Sequence, residues 1–126
     1  MKAVRYALKL AKVSDASLVA ICVVQIPEYI EENTRASLRD ELFRKSKDTL
    51  GDIEGLSVKS GIKFASKVIE TSGAISTAIC SFAEKENVDL VVLGTRAATS
   101  SLTKMMLGSV ASGVVGNAHC PVLVVR

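Results

Sequence analysis

Nine consecutive residues, Leu18 to Ile26, carry no charge and are apolar except for Gln25. Several are β-branched, and Pro27 closes the run. A run of this kind reads as a strand buried on both faces, which is the habit of parallel sheets. Two further runs of the same type follow, Asp89–Gly94 and Pro121–Val125, with a shorter strand over Ile62–Ile69. Between the strands the apolar spacing changes to that of a helix. Val4, Ala7, Leu8 and Ala11 open the chain at helical intervals, ahead of a break at Ser14-Asp15-Ala16-Ser17. Ile75, Ala78, Ile79, Phe82 and Ala83 form the cleanest apolar stripe. The polar stretch Glu28–Ser60 spaces Leu38, Leu42, Leu50 and Ile53 roughly as a helix does. Gly51 and Gly55 each cost about 1 kcal/mol against alanine in a helix interior, which predicts a frayed or broken second half. Gly61 is a helix stop, and a last helix starts near Ser109. Strands and helices alternate throughout. The fold class is therefore α/β, an open and mostly parallel twisted sheet with helices on both faces.

At 126 residues the chain fits one domain, 1–126, with no linker or repeat. Basic residues outnumber acidic ones by only three, and no clustered basic face argues for nucleic acid. The longest strictly apolar run is far short of the roughly 20 residues that span a bilayer. No signal peptide is visible, so a cytoplasmic domain without a membrane partner is expected. Cys22, Cys80 and Cys120 are odd in number and sit in or beside apolar segments. With His119 the only histidine and no CxxC, buried free thiols are expected and no metal set. His119 and Cys120 would point to opposite faces on entering a strand, which argues against a catalytic couple.

Open parallel sheets take ligands beyond the carboxyl ends of their strands. The segment from Leu93 to Val110 leaves a strand at Gly94 and enters a helix at Gly108-Ser109. Free amides and a partial positive charge at a helix start suit phosphate. Gly108 would let a phosphate approach the backbone, and Ser109 could cap the helix or donate its hydroxyl. Thr95, Thr99, Ser100 and Ser101 add donors, while Arg96 and Lys104 add charge. Neither GxxxxGK[ST] nor GxGxxG is present, so spacing alone favours an ordinary strand–loop–helix connection with Ser109 as its N-cap over anion binding. No paired carboxylates or second histidine occur, and Ser109 has no adjacent base, so no catalytic residue is identified.

Three blocks carry a resemblance. Asp89-Leu-Val-Val-Leu-Gly-Thr-Arg96, Leu107-Gly-Ser-Val110 and Asn117-Ala-His-Cys-Pro-Val-Leu-Val-Val125 resemble the C-terminal half of the universal stress protein family. Glu70–Ile75 with Phe82–Leu90, and Ala7–Ala11 with the Leu18–Val24 strand, are similar to earlier parts of it. The resemblance implies a Rossmann-like sheet of five strands in the order 3-2-1-4-5 and a homodimer through the last strand. It also implies, for some members, ATP held by Gly-x2-Gly-x9-Gly-[Ser/Thr]. Gly94 matches the first glycine and Gly108-Ser109 the last pair. The middle glycine is absent: Ala97 stands at the right distance from Gly94 and Ala98 at the right distance from Gly108. Alanine is compatible with a nucleotide there if φ stays negative. Val23 aligns with a position whose backbone contacts adenine, and Val110 follows the last pair.

The family's first strand has no counterpart, because Met1 aligns at the first helix. In the implied order that strand is central. Each buried group left unsatisfied costs about 1–3 kcal/mol, so a simple deletion is not expected to fold as a compact monomer. The expectation is that Met1 is an internal methionine of a longer product. Failing that, strand exchange or direct pairing of the second and fourth family strands should fill the gap. Pro121, Val122, Leu123, Val124 and Val125 end the chain at a sheet edge, which invites pairing with a second copy. Two functions follow. One is a nucleotide-binding module of the stress response holding ATP, with Mg. The other is a member without nucleotide that works through homodimerisation and protein partners.

Overall fold

A computed structural model describes residues 1–95 and 107–126. The alternation is α/β as expected: α1 (Lys2–Ser14), β1 (Leu18–Gln25), α2 (Glu32–Lys59), β2 (Phe64–Thr71), α3 (Ile75–Lys85), β3 (Val91–Gly94), α4 (Ser109–Asn117) and β4 (Val122–Val125). Both strand pairings are parallel. β1 pairs with β2 from Leu18↔Phe64 to Gln25↔Thr71, and β3 with β4 from Val91↔Val122 to Gly94↔Val125. The described residues thus hold two two-stranded sheets. β1 and β3, which correspond to the second and fourth family strands, do not pair, so that expectation is not met. The chain divides into two compact units, Leu8–Ile75 and Met1–Ala7 with Ser76–Arg126.

In the unit Leu8–Ile75, α2 crosses from β1 to β2. It runs unbroken through Gly51 and Gly55, correcting the expected break. The reason is burial. Leu50 and Ile53 are buried, each contributing about 1.5–3 kcal/mol, against roughly 1 kcal/mol lost per glycine. Ser57 is buried as well and satisfies its hydroxyl within the helix, donating to Ile53 O at 2.8 Å. The helix closes at Gly61, whose φ is 70°. There Gly61 N–H donates to Val58 O and Ile62 N–H to Ser57 O, at 3.0 and 2.9 Å. Ile62 is used in this closure, so β2 begins at Phe64 instead of Ile62. At the other end Arg35 donates to Pro27 O at 3.0 Å. Arg39 grips both oxygens of Glu70 on β2, at 2.7 and 3.0 Å. Those hydrogen bonds hold the Glu70 carboxyl below its ordinary range, although an exposed pair stabilises little.

In the other unit, Val91 N–H donates to Pro121 O and Thr95 N–H to Val125 O, both at 3.0 Å, framing the β3–β4 pair. Ala83, Ala111, Val114 and Val125 are buried. α3 and α4 meet closely at Gly113: a Cβ there would stand 2.6 Å from Ser76 Cβ. Close by, the Cys80 thiol reaches Val114 O at 3.9 Å. The three cysteines are free, but each is half-buried, correcting the expectation of full burial. Two-stranded sheets leave too little cover to enclose every apolar position.

Candidate functional site

Gly94 ends β3 opposite Val125. Its backbone is not left-handed, and an added Cβ would rest 3.5 Å from Ala3 Cβ, an ordinary contact. Glycine is therefore not demanded there by conformation. Thr95 gives its amide to Val125 O, so only its half-buried side chain remains as a donor.

Gly108 differs. Its φ of 87° and ψ of 163° fall in a region essentially reserved for glycine. It is the N-cap of α4, and its carbonyl accepts the Ser112 amide at 3.0 Å. This corrects the expectation that Ser109 could cap: Ser109 is the first helical residue, and no side chain caps the helix. The amides of Ser109, Val110 and Ala111 consequently bond to no described group. They carry the partial positive charge of the helix start. Gly108 and Ser109 are exposed and Val110 half-buried. Amides of this kind suit an anion's oxygens.

Arg96, Ala97 and Ala98 lie outside the described residues, as do Thr99, Ser100, Ser101 and Lys104. Val23 belongs to the unit Leu8–Ile75, opposite Ile69 and two residues before the end of β1. Pro121 is exposed, Val122, Leu123 and Val124 are half-buried, and Val125 is buried. His119 is exposed in a bend ahead of β4. The opposite-face argument for His119 and Cys120 does not apply, because neither is in the strand. Among the described residues no group of three or more His, Cys, Asp or Glu could hold a metal. No described helix is long and apolar enough to cross a membrane.

One feature escaped the sequence reading. At the carboxyl ends of β1 and β2, Gln25, Pro27, Glu28, Tyr29 and Ser72 line a shallow cleft. Gln25 Nε2 donates to Gly73 O at 2.7 Å, and Ser72 Oγ to Glu28 at 3.2 Å, tying its two rims together. The only sequence signal was Pro27 ending the strand.

The sequence profile of the universal stress protein family matches residues 1–126. The chain belongs to that family. A universal stress protein of Methanocaldococcus jannaschii is 34% identical over 129 residues, spanning 100% of this chain and 74% of that protein. The solved universal stress protein from Lactobacillus plantarum has a TM-score of 0.82 at 26% identity, covering 98% of this chain and 87% of that one. The universal stress protein from Archaeoglobus fulgidus in complex with dAMP shares the fold at a TM-score of 0.74 and 17% identity. That match covers 99% of this chain and 86% of that one.

Proposed function

We propose that this universal stress protein is a cytoplasmic adenine-nucleotide-binding module with a regulatory role in the stress response. The observation that supports this best is the uncapped start of α4, led by a glycine in a glycine-only conformation. The dAMP complex of the Archaeoglobus fulgidus relative points the same way. In this reading the phosphates take the amides of Ser109 and Val110, with Gly108 clearing their approach. Gly94, Thr95, Arg96, Ala97 and Ala98 belong to the same nucleotide segment. ATP is the proposed nucleotide. Its Mg2+ would travel on the phosphate oxygens and water, as that ion prefers. Calorimetric titration with ATP, ADP and AMP, and GTP as control, is expected to give saturable binding of the adenine nucleotides. No heat at millimolar ligand would remove the nucleotide and leave the reading below.

The second reading, a homodimer through β4, has its own support. Among the described residues β4 pairs only with β3, so its other edge is open to an antiparallel copy. Sedimentation velocity is expected to show a dimer at micromolar protein; a monomer there would sink the β4 interface.

A further inference from the structure

Cys80 lies within α3 and Cys120 just beyond α4, and the fold brings both toward the C-terminal end of α4. The Cys80 thiol sits 3.9 Å from Val114 O. The same carbonyl accepts the Ala118 amide at 2.9 Å, where α4 ends. From Ala118 the chain bends through His119 to Cys120, two steps that span at most about 7 Å. Both thiols are free and half-buried, so a small oxidant can reach them. Burial raises the Cys80 thiol, and the charge of Cys120 raises it further. Cys22 belongs to the other unit, on β1, where its thiol is directed at Ser46 O.

We propose that Cys80 and Cys120 are a redox modification site, closing to a disulfide when the protein meets hydrogen peroxide. The chemistry balances. One thiolate attacks the peroxide, the O–O bond breaks, and the sulfur becomes a sulfenic acid as water leaves. The second thiolate attacks that sulfur, the S–S bond forms, and the hydroxyl departs as a second water. Two thiols are oxidised by two electrons and one peroxide is reduced. The product would join α3 to the segment after α4 and close the chain between Cys80 and Cys120 into a ring. This restricts the unfolded chain. It requires no nucleotide.

The test treats the full chain, purified reduced, with excess hydrogen peroxide and follows it by intact mass and non-reducing tryptic mapping. The expected result is a loss of about 2 Da from the monomer, the two hydrogens of a new disulfide. The map should link peptide Val68–Lys85 to peptide Met105–Arg126, and dithiothreitol should reverse it. Cys80→Ser and Cys120→Ser should each lose the link, and Cys22→Ser should keep it. An unchanged mass, oxygen added to either cysteine without a link, a bridge to Cys22, or a bridge between two chains would each overturn the proposal. Should a serine variant fail to fold, the peptide map of the unaltered protein decides alone.

Discussion

Alanine at position 108 is expected to weaken adenine-nucleotide binding by about ten- to a hundredfold. At φ 87° and ψ 163°, a Cβ collides with its own backbone, a strain of about 1–3 kcal/mol. The chain relieves that strain by rotating residue 108 toward negative φ. The rotation turns the peptide between residues 108 and 109, so the Ser109 amide no longer faces outward along α4. One lost hydrogen bond to a charged group is worth about 1.5–3 kcal/mol, and tenfold in affinity is 1.4 kcal/mol. The measurement is a calorimetric Kd for Gly108→Ala beside its urea midpoint. Gly116→Ala is the control. Gly116 is helical with open space around it, so alanine there should leave binding alone and add up to about 1 kcal/mol of stability. If Gly108→Ala loses stability but binds nucleotide as before, the start of α4 does not hold the phosphate.

Gly113→Ala should have the larger effect on stability. The added methyl would meet Ser76 Cβ at 2.6 Å and its hydroxyl closer still. Ser76 and Gly113 lie on packed helices, so neither backbone can yield without moving its neighbours. Overpacking of this kind costs about 1–3 kcal/mol, and the usual gain of alanine over glycine in a helix, about 1 kcal/mol, offsets only part of it. A fall in melting temperature of several degrees is expected. Pairing it with Ser76→Gly removes the colliding atoms and should restore most of the loss. A double variant no more stable than Gly113→Ala alone would show that the contact is not the cause.

Much of this fold was legible because its signals are local. The run from Leu18 to Gln25 announces β1 by composition alone, and Gly61 marks the stop of α2 because a left-handed residue there favours glycine. What stayed hidden depends on partners distant in sequence. Gly51 and Gly55 look like helix breakers until Leu50, Ile53 and Ser57 are seen buried beneath them. Gly113 looks like one more weak helical residue until Ser76 appears across from it. The site divides in the same way. Gly108 could be suspected from its place before a helix. That Thr95 yields its amide to Val125 O follows only from the parallel pairing of β3 with β4.

The two strands of the Leu8–Ile75 unit present very different rims. β2 carries Lys67 and Glu70, charges of the kind that discourage further strands. β1 has no charged residue among its eight, and among the described residues β2 is its only partner. Any extended chain paired along that rim would gain a ladder of backbone bonds and displace water from leucine, isoleucine and valine. Solubility should therefore follow how completely that rim is occupied, with the net charge of +3 a secondary influence.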